Sequence, residues 1–262
     1  MAMTLARVKR DRTDIPRYAS NMTLIYLLRH CESSANQEGI LAGRTAKIGL
    51  SKRGARQAKK LAATLNRESF TKIYVSPLQR CVETIEPFLK SSRRRAISEP
   101  LFLEMDYGKW SGRKLSELRR ERLWKLIQKK PSSVKFPSGE SFLSAERRIR
   151  KGLNKVARAN PKGKVLVVSH GDPIKIAVQL SLKGDLDLFQ RVVIDPGSVT
   201  IMDWPSGTLI GTNIPAQSLG STALGNRSIG KRSIGKSGKR FSKSMLSNRR
   251  VLGGGTDVSP RI

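Results

Sequence analysis

The sequence predicts an α/β fold: a three-layer α/β/α sandwich built on a mainly parallel central sheet. Three observations carry that prediction. Residues 24–28 and 165–168 are short apolar runs of the kind found in strands buried on both faces. Other segments repeat apolar residues at helical spacing. The two kinds of segment alternate along the chain, which places helices on both faces of a parallel sheet.

The first strand ends at Arg29 and His30, and a loop of small and polar residues follows over 33–49. Ala55, Ala58, Leu61, Ala62 and Leu65 then mark a helix. Residues 72–76 read as a second strand. Pro77 suits the first turn of the next helix, whose buried face is expected to be Leu78, Cys81, Val82, Ile85 and Leu89. Pro87 inside that pattern predicts a kink or an early end. Residues 97–103 form a strand candidate. Leu115, Leu118, Leu126 and Ile127 mark one helix, and Phe142, Ala145, Ile149, Leu153 and Val156 another. The strand at 164–169 leads to Asp172 as N-cap with Pro173 at the first helical position. Residues 191–195, 198–203 and 208–211 read as short closing strands, the last two joined by a Pro205-Ser206-Gly207 turn.

The 262 residues carry a formal charge of +31. Residues 1–22 hold +3 and residues 215–262 hold +9, so +19 lies on the body between them. Such a field favours anionic partners: phosphorylated metabolites, nucleic acid or acidic surfaces. We divide the chain into a disordered basic extension (1–22), a catalytic domain (23–214) and a disordered Ser/Gly/Lys/Arg-rich tail (215–262). Met22 directly precedes the first strand, so residues 1–21 also read as an over-long start. The tail repeats Ser-Ile-Gly-Lys at 228–231 and 233–236. No apolar stretch approaches the ~20 residues of a membrane span, and no secretion signal is legible at the N-terminus. Cys31 and Cys81 are the only cysteines and lack any CxxC partner, which fits a reduced, cytoplasmic setting.

The chemistry concentrates at strand ends. His30 and His170 are the only histidines, and each stands just past the end of an apolar run. Ligand sites in open α/β sheets lie beyond the carboxyl ends of the strands. A neutral imidazole is a competent nucleophile toward phosphorus. Phosphoryl transfer needs cations around the equatorial oxygens, and Arg29 and Arg80 supply them. His170 precedes a helix N-terminus, which favours an anion. No cofactor motif and no metal-ligand cluster is legible in the sequence. Taken singly, Arg80 would be an exposed helix arginine, Glu104 a surface carboxylate and Asn36 a turn or cap residue.

Leu28-Arg29-His30-Cys31-Glu32-Ser33 with Asn36 resembles the signature of the histidine phosphatase superfamily, in its phosphoglycerate mutase-like branch. The likeness continues through Leu50-Ser51-x-x-Gly54-x-x-Gln57-Ala58, Ser76-Pro77-Leu78-x-Arg80-x-x-x-Thr84 and Leu103-Glu104-x-x-Tyr107-Gly108-x-Trp110-x-Gly112. It ends with Gly139-Glu140-Ser141 and Ser169-His170-Gly171, spanning roughly residues 23–203. Asp106-Tyr107-Gly108 and Phe189-Gln190-Arg191 look most like small actinobacterial members described as phosphatases or phosphomutases. The resemblance implies a phosphoglycerate mutase-like fold and a phosphohistidine on His30. It implies that Arg29, Arg80 and His170 clamp the phosphoryl group, with Asn36 as a polar contact. It makes Glu104 the general acid and then the general base. Cys31 departs from the family's usual glycine. If the backbone there needs a positive φ, the side chain costs about 1–2 kcal/mol. Small residues such as alanine stand there in related branches, so Cys31 reads as tolerated. Both cysteines read as inert small residues, with oxidation of Cys31 as the alternative.

The favoured activity is metal-independent hydrolysis of a small phosphomonoester. The alternatives are a phosphoglycerate mutase-type phosphomutase and a basic nucleic-acid binder on a non-catalytic phosphatase fold. The basic tail would allow nonspecific contact with polyanions. Against specific nucleic-acid binding stand the sparse aromatics, 5% of the chain, and the lack of any recognition motif. The basic runs at 119–122 and 147–150 read as solvated helix faces. A cysteine-phosphatase loop fails because position 37, where its arginine would stand, is Gln37, and the same position after Cys81 is Pro87.

Overall fold

The computed structural model describes residues 22–219. In chain order the first half runs β1 (Thr23–Arg29), α1 (Ser34–Gln37), α2 (Lys52–Leu65), β2 (Lys72–Val75), α3 (Gln79–Ser92) and β3 (Ile97–Ser98). The second half runs α4 (Leu115–Leu118), α5 (Arg122–Lys129), α6 (Phe142–Ala159), β4 (Lys164–Ser169), α7 (Gly171–Leu182), β5 (Ser198–Trp204) and β6 (Thr208–Pro215). The six strands form one sheet in the order β3-β2-β4-β1-β5-β6. The pairs β1–β4, β2–β4 and β2–β3 are parallel, whereas β5 is antiparallel to both β1 and β6. The expected mainly parallel α/β sandwich is present.

Period-two burial divides the core. Ile25 and Leu27 of β1, with Val165 and Val167 of β4, pack against α6 and α7. Tyr26, Leu28, Leu166 and Val168 face the other way, onto α2 and α3. Side chains of this kind contribute about 1.5–3 kcal/mol each when fully buried. Both faces of the central strands are therefore dry, which explains why their sequence is continuously apolar rather than alternating.

Several sequence expectations change. Helix α3 starts at Gln79 with Leu78 as cap, so Pro77 precedes the helix. The helix runs through Pro87 to Ser92 without stopping; one lost backbone bond is outweighed by burying Ile85 and Phe88. Its inner face also takes Arg80 and Thr84, while Val82 is 43% exposed. The strand expected over 97–103 is two residues long and gives way to a 3-10 turn at Pro100–Phe102. The single helix expected over 115–127 is two, α4 and α5. Residues 191–195 are not a strand: a 3-10 turn, Leu186–Arg191, leads into a loop over the strand ends. Gly197 N donates there to the carbonyls of both Arg29 and His30. His170, not Asp172, caps α7, and Pro173 lies third in the helix. That position still suits proline, because the first-turn N–H groups have no intrahelical acceptor. β6 runs through Pro215, and a 3-10 turn at Ala216–Ser218 follows, with Ala216 and Leu219 buried. The rest of the expected tail, residues 220–262, and the expected extension over 1–21 lie outside the described residues.

Candidate active site

The register of the sheet assembles the site. Arg29 lies opposite Ser169 at the ends of the adjacent parallel strands β1 and β4. His30 and His170 are therefore neighbours, although about 140 residues separate them in sequence. Their ring centroids are 5.2 Å apart at an interplanar angle of 63°. β2 flanks β4 on its other side, with Val75 opposite Val168. Ser76 consequently reaches His170, its Oγ 2.7 Å from Nε2. These strand ends open into a cavity of about 400 Å³ whose lining includes Arg29, His30, Asn36, Arg80, Glu104 and Asp172.

Each group is held by the local chain. His30 Nδ1 lies 2.7 Å from the Cys31 carbonyl. A carbonyl only accepts, so Nδ1 carries the ring proton and Nε2 keeps its lone pair. Burial, then the charges of Arg80 and Arg29, hold His30 well below the ordinary imidazole range. His170 is lowered well below that range too, by burial and then by Arg80. Both rings are thus neutral at pH 7. Arg29 Nη1 donates to Ile194 O, and Arg80 Nη2 to Gly43 O at 2.8 Å. Three further guanidinium nitrogens, Arg29 Nε and Arg80 Nε and Nη1, are buried without a hydrogen-bond partner. Buried charged donors are costly to leave unbonded, so this corner is built for an anion.

Glu104 is 9% exposed, and its Oε1 accepts from Met105 N at 2.9 Å. Burial, then the nearby Asp172 carboxylate, push its pKa up from 4.5 to about 7. It is thus poised to give and take a proton near neutrality. Asn36 lines the cavity but also closes a capping box: its Oδ1 accepts from Ser33 N and Ser33 Oγ, while Ser33 Oγ accepts from Asn36 N. The six residues singled out in the sequence therefore come together.

The structure also brings in residues that the sequence reading passed over. Tyr107 Oη donates to Asp172 Oδ2 at 2.7 Å, and Lys175 lines the same cavity. Arg148 lies inside a run expected to face solvent, yet its side chain is only 16% exposed. It donates to the carbonyls of Leu101 and Leu103 at 2.8 Å and pairs with Glu140 at 2.7 Å. Arg44 Nε donates to Glu104 O at 2.9 Å and Nη2 to Glu140. These two arginines pin the segment that carries Glu104. Helical spacing offered a signal: Arg148 is three residues after the buried Ala145 and four before the buried Gly152.

The alternative of an oxidation-prone thiol is not favoured, and Cys31 is accommodated, as its reading as a tolerated, inert residue expects. It is absent from the described residues with positive φ, so no left-handed strain arises. Its N–H donates to Thr84 Oγ1 at 2.9 Å. The thiol is buried, and burial raises its pKa to about 11. It stays protonated, which opposes ready oxidation.

The fold and this cluster define a class, an α/β enzyme whose site gathers cations and neutral imidazoles at strand ends. Residues 25–211 match the model of the histidine phosphatase superfamily (branch 1). The chain belongs to that superfamily. It is 33% identical over 186 residues to phosphoserine phosphatase 1 of Hydrogenobacter thermophilus, covering 69% of this chain and 86% of that protein. It is 26% identical to the 2,3-bisphosphoglycerate-dependent phosphoglycerate mutase of Thermoplasma acidophilum, covering 72% and 91%. It spans half the length of a matching bifunctional protein of Mycobacterium tuberculosis. Among solved structures, phosphoserine phosphatase of Entamoeba histolytica in complex with 3-phosphoglyceric acid superposes with a TM-score of 0.68 at 24% identity. That match covers 75% of this chain and all of the other, and it speaks to the fold alone.

Proposed function

We propose that this protein hydrolyses a small phosphomonoester, without a metal ion, through a phosphohistidine on His30. The observation that carries the reading is the set of buried guanidinium N–H groups, free of protein acceptors, beside two neutral imidazoles. Arg29, Arg80 and His170 hold the phosphoryl oxygens, and Asn36 adds its amide nitrogen. Each charged hydrogen bond of this kind is worth about 1.5–3 kcal/mol.

His30 Nε2 attacks phosphorus and the ester P–O bond breaks. Glu104 gives its proton to the departing alkoxide. Water then enters and loses a proton to the Glu104 carboxylate while its oxygen attacks phosphorus. The P–N bond breaks, inorganic phosphate leaves, and His30 and Glu104 return to their starting states. The relatives named for phosphoserine phosphatase activity support hydrolysis. The Thermoplasma mutase supports the second reading, a phosphomutase. Two buried free thiols support a reducing, cytoplasmic setting, and no described helix is long and apolar enough to cross a membrane. The +9 on residues 215–262 supports nonspecific contact with polyanions.

Rapid quench followed by mass spectrometry tests the reading. A phosphoryl adduct is expected on the peptide carrying His30, and His30→Ala should lose both adduct and turnover. A His30→Ala variant with wild-type activity overturns it. With 3-phosphoglycerate as substrate, free phosphate marks the hydrolase and 2-phosphoglycerate the mutase.

A further inference from the structure

Lys175 stands apart from the cations gathered around the two imidazoles. It projects from α7 at the i+4 position from Gly171, so the two share one helix face. Gly171 packs on the Arg29 guanidinium: a Cβ there would lie 3.3 Å from Arg29 Cζ. Lys175 is therefore one turn, about 6 Å along the axis, beyond the phosphoryl end. Its side chain lines the same cavity and is only 20% exposed. Nζ sits 4.7 Å over the Phe189 ring and 4.0 Å from Asp172 Oδ1. No acceptor among the described residues comes within hydrogen-bond distance of it. Asp172 spends its other oxygen on Tyr107. The side chain is thus mostly covered while its ammonium, with one distant counter-ion and no protein hydrogen bond, is left free to meet a ligand in the cavity.

We propose that Lys175 is a specificity-determining residue that reads a carboxylate on the leaving group, so that the preferred substrates are small phosphorylated acids. This inference rests on the phosphatase reading given above. One ammonium matches one singly charged group. A second phosphate dianion would face the Asp172 carboxylate with that single cation to offset it. The spacing of about one helical turn suits a phosphate and a carboxylate separated by a three-carbon chain. The ring of Phe189 lies under the Lys175 ammonium, and Gln128 and Gln190 also line the cavity.

The test compares 3-phosphoglycerate with glycerol 3-phosphate, which replaces the carboxylate by a hydroxymethyl group. Wild-type protein is expected to favour 3-phosphoglycerate at least 10-fold in kcat/KM. Lys175→Met and Lys175→Gln should cut that ratio roughly 10- to 100-fold, the size of one charged hydrogen bond, and Lys175→Arg should restore most of it. Both substrates are measured on one sample, so any loss of folded protein cancels from the ratio. A wild-type ratio near one overturns the inference, as does a ratio unchanged in Met and Gln variants. Hydrolysis of 4-nitrophenyl phosphate by the wild type separates the two readings. If the wild type turns it over without a preference for the acid, only the role of Lys175 falls. If the wild type turns over neither phosphate ester nor 4-nitrophenyl phosphate, the phosphatase reading falls with it.

Discussion

Replacing Glu104 by Gln should make the protein more stable in mild alkali and leave it unchanged in mild acid. The side chain is buried, and its folded pKa is raised from 4.5 to about 7, by desolvation first and Asp172 second. The sign follows from linkage. A group with a raised folded pKa contributes its full stability below the unfolded value and loses it as the pH climbs through the folded value. Between pH 4.5 and pH 7, at about 1.4 kcal/mol per pH unit, the loss is on the order of 3 kcal/mol. Glutamine mimics the protonated acid in shape and has no proton to lose. The two proteins should therefore match at pH 4.5 and diverge to roughly 6–12 °C in Tm by pH 8. Differential scanning calorimetry of the pair across this range makes the measurement. Taking the difference removes the opposing contribution of His30 and His170, whose lowered values cost stability as the pH falls below about 6.5. A Tm difference that stays flat with pH would refute the buried, proton-carrying state of Glu104. The same variant should slow hydrolysis of alkyl phosphates far more than of 4-nitrophenyl phosphate, whose leaving group needs no proton. Equal slowing would remove the acid role.

Two further outcomes concern the frame around the site. Gly54→Ala should destabilise the protein by about 2 kcal/mol or more, because the added Cβ would lie 1.9 Å from the Glu32 carbonyl oxygen; urea denaturation monitored by circular dichroism reads it. Iodoacetamide at pH 8 should leave Cys31 and Cys81 unmodified in the native protein, because both thiols are buried and raised above their ordinary value. Alkylation as fast as that of the urea-unfolded chain would contradict that burial.

The two imidazoles were legible because each is marked by its own short stretch of sequence. His30 and His170 follow apolar runs, and a strand end is where an open α/β sheet binds ligands. Arg80 and Glu104 were legible only through their neighbours: a buried arginine on a helix looks like a solvated one until its surroundings are known. Asp172 and Lys175 were missed because their meaning is tertiary. Asp172 was read as a cap since its type and the following proline fit one, yet it answers to Tyr107, 65 residues away. Arg148 was masked by the charges on either side of it. Elements failed where the chain turns over the strand ends. Residues 97–103 and 191–195 have strand-like composition, but only two residues of the first find a partner strand, and in the second the Ile194 carbonyl accepts from Arg29 instead of from a strand.

The pairing of β1 with β4 also bears on how the molecule matures. Arg29, His30 and Asn36 are synthesised within the first few dozen residues, Arg80 and Glu104 follow, and His170 waits for the end of a strand about 140 residues later. Contacts of such long range form late and slowly. A nascent or truncated chain that stops before residue 164 would thus carry an inert His30, and recovered turnover during refolding would report closure of the whole sheet rather than growth of any one part.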